Sequence, residues 1–128
     1  MVFVTTEPLD SRPLSKTRRD PAIGAVVTFQ GTVRGEERGE PIAAITYEAY
    51  EAMARCLLKE IVRRAEMRWP VRVAVAHRLG RVPVSEASLR VEAAGPHRQE
   101  AFEACQFVID EIKRVAPIWK VDYEKARA

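Results

Sequence analysis

The hydrophobic period of this chain changes several times along its length, and those changes limit what it can fold into. Gly24 opens Ala25-Val26-Val27-Thr28-Phe29-Gln30, an apolar, β-branched run that reads as a well-buried strand. It continues through Gly31-Thr32-Val33-Arg34, where Gly31 predicts a bulge or a close backbone approach. Ile42 to Tyr50 alternates, with Ala43, Ile45, Tyr47 and Ala49 on one face. From Glu51 the period becomes four. Met53, Leu57, Ile61, Ala65 and Trp69, with Leu58 and Val62 beside them, describe an amphipathic helix that Pro70 stops. Alternation returns at Val71, Val73, Val75 and His77, and again at Leu89, Val91 and Ala93, with a turn or edge segment between them at 81–86. Gly95-Pro96 then starts a second long helix. Its stripe is Phe102, Cys105, Ile109 and Ile112, widened by Ala101, Ala104 and Val108, and Pro117 ends it.

The ends of the chain are less regular. Asp10 or Ser11, with Pro13 following, predicts a short N-terminal helix that stops near Asp20-Pro21. Ile118-Trp119-Lys120-Val121 reads as a short last strand, and Asp122 to Ala128 as a frayed polar tail. The segment 35–41 has no apolar residue, two Gly and a Pro, and reads as an exposed mobile loop. The class is α+β, with neighbouring antiparallel strands and the helices on one side.

With 128 residues, the expectation is a single domain spanning 1–128. Hydrophobic residues at 47% and charged residues at 30% exclude disorder, and no uncharged stretch approaches the ~20 residues that cross a bilayer. The N-terminus has neither a basic segment nor a long apolar one, so a cytoplasmic protein is expected. Cys56 and Cys105 fall in apolar-periodic segments and read as small buried hydrophobes. His77 and His97 supply no zinc-ligand spacing, so neither a disulfide framework nor a metal site is expected. A net charge of +3 is too small to point to nucleic acid.

Three places can carry chemistry. Gly95-Pro96-His97-Arg98 sets two polar side chains at a helix start, where unpaired N–H groups favour a phosphate or carboxylate; an ordinary solvated helix start is the alternative. Lys113 and Lys120 are two of only five lysines beside sixteen arginines. Lys120 follows Trp119, and an amine against aromatic surface can act as nucleophile or base, whereas solvated lysines are the ordinary case. Arg34 closes a strand and opens a loop, a common place for a substrate contact or for a plain surface arginine. His77 sits among alternating valines and reads as a hydrogen-bonded, partly buried histidine. There is no phosphate-binding glycine loop, nucleophile elbow or paired-carboxylate arrangement.

These residues recur in an ordered series. Gly24 to Arg34, Tyr47-Glu48-Ala49-Tyr50, Arg68-Trp69-Pro70, His77-Arg78-Leu79-Gly80, Pro96-His97-Arg98, Ala101 to Cys105, Lys113 and Pro117-Ile118-Trp119-Lys120 together resemble the large, catalytic subunits of molybdopterin synthases, over residues 4–122. The resemblance implies an α/β hammerhead fold with additional antiparallel strands. It implies a sulfurtransferase of molybdenum cofactor biosynthesis that builds the dithiolene of molybdopterin on cyclic pyranopterin monophosphate. The sulfur comes from the C-terminal thiocarboxylate of a small ubiquitin-like partner ending in Gly-Gly. A homodimer within a heterotetramer is implied, with no resident cofactor. Lys113 and Lys120 then match the catalytic lysines. Thr32, Val33, Arg34, His97, Arg98, Lys113, Lys120, Val121 and Asp122 match the substrate-binding residues.

One helix over 97–113 would set Arg98 and Lys113 ~22 Å apart along its axis. The expectation is therefore that His97 and Arg98 serve the pocket whose lysines belong to the other protomer. The alternatives are a non-catalytic scaffold for a ubiquitin-like partner and an anion- or nucleic-acid-binding module, the last marked by salt-dependent binding to polyanions.

Overall fold

The computed structural model describes residues 1–10, 12–15 and 20–127. Its elements run β1 (Val2–Thr5), β2 (Ala25–Thr32), β3 (Glu36–Glu37), β4 (Glu40–Ala49), α1 (Glu51–Arg68), β5 (Arg72–Arg78), β6 (Gly80–Pro83), β7 (Ala87–Gly95), α2 (Arg98–Val115) and β8 (Ile118–Lys125). The first sheet has the order β1-β5-β7-β2, and the second groups β3, β4 and β6, with β8 also paired to β4. The class is α+β, as the changing period requires. No described helix is long and apolar enough to cross a membrane.

The main core lies between the first sheet and the two helices. Val73, Val75, Leu89, Val91 and Ala93 meet Leu58, Ile61, Val62 and Ala65 of α1 and Ala104, Cys105, Val108, Ile109 and Ile112 of α2. Burying a Val, Leu or Ile side chain stabilises by roughly 1.5–3 kcal/mol, so this stripe fixes both helices on one face. A smaller core of Val33, Ile42, Ile45, Tyr47 and Val82 holds the second sheet. Register shifts in β4 between Ile42 and Ala44 let Ile42 and Ile45 share that core despite their odd spacing.

Several expectations are corrected. Residues 10, 12–15 and 20 are not helical, while 11 and 16–19 lie outside the described residues. The backbone here is taken by other partners. The Arg12 N–H donates to Asp10 Oδ1 at 3.0 Å, the Leu14 N–H to Glu92 Oε2 at 3.1 Å, and Arg90 Nη1 donates to the Arg12 carbonyl at 2.7 Å. The chain instead opens with β1, a strand absent from the pattern analysis, which pairs in parallel with β5. β2 is only half-buried because it ends its sheet with β7 as sole neighbour, and the bulge predicted at Gly31 is present as a register shift between Gly31 and Thr32.

The 35–41 segment is exposed but ordered as a two-residue hairpin. Arg38 and Gly39 both have positive φ, 51° and 81°, as a turn matching the strand twist requires. The last strand is twice the expected length, because β4 offers it an edge as far as Ile42↔Lys125. Arg81 Nη2 reaches Glu124 at 2.7 Å across the same sheet. Two stripe residues are exposed, Met53 and Phe102; Ala54 is buried beside Met53 in α1, while Ala101, Ala104, Cys105, Val108, Ile109 and Ile112 of α2 are buried as expected. Cys56 is likewise exposed, and only Cys105 is the buried thiol.

Candidate functional site

A cavity of about 680 Å³ opens where the C-terminal end of α2 meets both sheets. Five separated stretches of chain build it. Thr32 and Arg34 come from the end of β2 and just beyond, and Val33 between them is clamped by backbone bonds to Glu86 and Ser85, at 3.0 and 2.8 Å. His77 comes from the end of β5, Ser88 and Leu89 from β7, and Ile112 and Lys113 from the last turn of α2. Pro117 lets the chain reverse, so that Ile118, Trp119 and Lys120 of β8 complete the wall. The β4–β8 register sets Lys120 opposite Tyr47, which also lines the cavity.

The lining carries Arg34, Lys113 and Lys120 and no carboxylate. Among the described residues none of the three is engaged in an ion pair. Arg114, one position beyond Lys113, is by contrast held by Glu111 at 2.9 Å. The last turn of α2 thus has one cation neutralised outside and one turned to the cavity. Both also suit a helix C-terminus. Three uncompensated cations over a partly apolar wall of Leu89, Ile112, Ile118 and Trp119 suit an anionic ligand with a flat organic body.

His77 lies at the back of this wall, buried, with its ring 5.5 Å from that of Tyr47 in an edge-on arrangement. Its Nδ1 is 2.9 Å from the Arg78 carbonyl oxygen, which fixes the tautomer with the proton on Nδ1. Burial pushes its pKa below the ordinary 6.5, so the ring is neutral at pH 7. The expectation of a hydrogen-bonded histidine is met, but its place in the cavity is new. Tyr47, Ser88 and Trp119 also went unassigned, because strand pairing across the two sheets alone brings them here.

The other sequence candidates lie elsewhere. Val33 is buried in the small core, and Val121 and Asp122 stand exposed on β8 outside the cavity lining. His97 and Arg98 are at the far end of α2, exposed, with His97 Nδ1 3.7 Å from Glu100. Since α2 runs unbroken from Arg98 to Val115, Arg98 and Lys113 of one chain are ~22 Å apart along the axis. The structure does not bring these two groups together within a chain. Among the described residues no three His, Cys, Asp or Glu side chains gather as a metal site would need. A second cleft, of about 520 Å³, lies by β1 and residues 8–10 and 12–14 and contains none of the candidates.

The family model of the MoaE protein matches residues 4–115. A protein named molybdopterin synthase catalytic subunit from Oryza sativa subsp. indica is 52% identical over 103 residues, which are 80% of this chain and 53% of that one. The chain thus spans about half the length of its rice relative. Proteins of the same name from Nostoc and Thermoplasma volcanium are 39% and 38% identical, over 94% of this chain and 74% and 89% of theirs. The structure of molybdopterin synthase from Staphylococcus aureus superposes with a TM-score of 0.83 at 27% identity, covering 98% of this chain and 96% of that one. A complex of subunits 1 and 2 of the molybdopterin-converting factor from Helicobacter pylori contains a chain that matches at a TM-score of 0.78 and 27% identity, over 98% and 90% of the two chains.

Proposed function

This chain belongs to the MoaE protein family, and on that premise we propose that it is the catalytic subunit of a molybdopterin synthase. It moves sulfur from the C-terminal thiocarboxylate of a small ubiquitin-like carrier to cyclic pyranopterin monophosphate, twice, to make the dithiolene. The observation that carries this reading is the cavity in which Arg34, Lys113 and Lys120 converge without a compensating carboxylate. Both reactants are anions, and the carrier's thiocarboxylate must lose its acyl–sulfur bond. A lysine ammonium beside the acyl oxygen stabilises the charge that develops there, and a lysine can also move protons as the cyclic phosphate opens. Arg34 suits the phosphate, for which a planar guanidinium offers two parallel donors. Thr32 and the start of β8 border the same space.

His97 and Arg98 belong to this chemistry through a second copy of the chain. Their ~22 Å separation from Lys113 exceeds what one pterin can bridge, so each pocket takes its lysines from one protomer and its His97–Arg98 pair from the other. The functional unit is then a homodimer with one carrier at each end, a heterotetramer, built from single-domain chains spanning 1–128 and working in the cytoplasm. A resident cofactor or metal has no role in this scheme. The Helicobacter pylori two-subunit complex supports a small partner.

The test is mass spectrometry of the pterin after mixing this protein with precursor and thiocarboxylated carrier, with Lys113→Ala alongside. A two-sulfur product that the variant fails to make supports the enzyme. If the carrier binds and no product forms with the unaltered protein, the chain is a scaffold instead.

A further inference from the structure

We propose that His77 is a ligand-binding residue of the cavity, its Nε2 accepting a hydrogen bond from an amide-type N–H of the bound molecule. This rests on the sulfur-transfer reading of the same cavity. With Nδ1–H committed to the Arg78 carbonyl at 2.9 Å, the unprotonated nitrogen of the neutral ring is Nε2, an acceptor. The ring has little freedom to leave that orientation. Its backbone is paired on both sides, to Val4 of β1 and Leu89 of β7, and Tyr47 meets the ring edge-on at 5.5 Å.

The rest of the lining makes an acceptor here informative. Arg34, Lys113 and Lys120 only donate, the Ser88 hydroxyl donates to the Gly31 carbonyl at 3.4 Å, and the remaining side-chain acceptors of the lining are the Thr32 and Tyr47 hydroxyls. An anionic ligand that also carries an N–H can satisfy both ends of such a cavity, its charge on the cations and its N–H on His77. The carrier's terminal Gly-Gly amides and the N–H groups of a pterin ring share that chemistry. Burial, by lowering the His77 pKa, keeps the acceptor available at neutral pH. The titratable and charged groups that line the cavity with the ring are Tyr47 of β4, Arg34 beyond β2, Lys113 of α2 and Lys120 of β8, with Arg78 next in the chain but outside the lining. None is a carboxylate or a second histidine.

The experiment is calorimetric binding of two probes, a peptide ending in Gly-Gly and cyclic pyranopterin monophosphate, to the full chain. Wild type, His77→Leu and His77→Gln are compared at neutral pH. A leucine leaves the ligand N–H unpaired and weakens one probe about tenfold, while glutamine, whose carbonyl accepts near the Nε2 position, keeps affinity within about threefold. The probe that responds identifies the source of the N–H. Equal binding of both probes by a folded leucine variant overturns the proposal. If the leucine variant does not fold, His77→Phe, which keeps a ring and has no acceptor nitrogen, replaces it in the same comparison. Wild type that binds neither probe overturns the sulfur-transfer reading along with it.

Discussion

The most demanding consequence of the geometry is that two dead proteins should make a live one. Lys113→Ala removes a lysine at the C-terminal end of α2, and Arg98→Ala removes the guanidinium at its N-terminus, ~22 Å away on the same rigid helix. Loss of a group that stabilises developing charge reduces turnover by about 10²–10³, so each variant alone is nearly inactive. In a two-fold dimer whose pockets draw on both chains, a heterodimer of the two variants concentrates both lesions in one pocket and leaves the other intact. Random exchange at equal concentrations makes about half the dimers mixed, each with one working pocket of two. Recovered activity is then about a quarter of wild type. The assay is appearance of the two-sulfur pterin by mass spectrometry, after co-refolding chains with different affinity tags so that the mixed dimer is purified and counted. If verified heterodimers show no more product than the parents, both residues act within one chain or not in the same pocket, and the argument from helix length is wrong.

Other expectations test the fold and the buried ionisable groups. A Cβ on Gly24 would lie 2.4 Å from the Pro96 carbonyl oxygen, so Gly24→Ala must displace backbone and costs about 1–3 kcal/mol in urea unfolding; an unchanged midpoint refutes the close approach. Burial raises the Cys105 thiol to about 11, so at pH 8 only about a thousandth is thiolate, while Cys56 is exposed. One thiol per chain should therefore react quickly with Ellman's reagent and vanish in Cys56→Ser, and two fast thiols would contradict the structure. The His77 pKa lies below 6.5 in the folded chain, so below pH 6.5 the unfolded chain binds more protons and stability falls until the folded pKa is passed. Above pH 6.5 this contribution is flat. Chemical unfolding across pH 5–7 should show a smaller acid loss in His77→Gln, and an equal slope in both proteins would remove His77 as its source.

How much of this was visible in the chain itself varies by element. α1 and α2 were legible because helix periodicity is local and each helix stops against a proline; the exposure of Met53 and Phe102 at the margins of their stripes, with Ala54 buried beside Met53, depends on how each helix rolls on its sheet. β1 is four residues with no periodicity to detect, and it exists because the edge of β5 is available to it. The N-terminal helix expected from Asp10 or Ser11 fails because the Arg12 carbonyl and the Leu14 N–H bond to Arg90 and Glu92, some 78 residues away, while Asp10 is held by Arg12. For the site, Arg34, Lys113 and Lys120 were candidates by local placement, whereas Tyr47, His77 and Ser88 carried only the ordinary alternation of strand residues.

Periodicity, proline stops and the ordered motif series settled the class of fold, the number and limits of the long helices, and the family resemblance. These are properties of short windows, or of residue order, and need no partner across the molecule. Which strands pair, which residues face one another and which cations remain unneutralised are properties of contacts distant in sequence. The β4–β8 register sets Lys120 against Tyr47, and the packing of α2 turns Lys113 to the cavity while Glu111 takes Arg114. Hydrogen bonding across sheets specifies those choices, and their energies arise only when the surfaces meet. The same holds for the separation of Arg98 from Lys113. The sequence spacing suggested it, and an unbroken helix made it a distance that one chain cannot close.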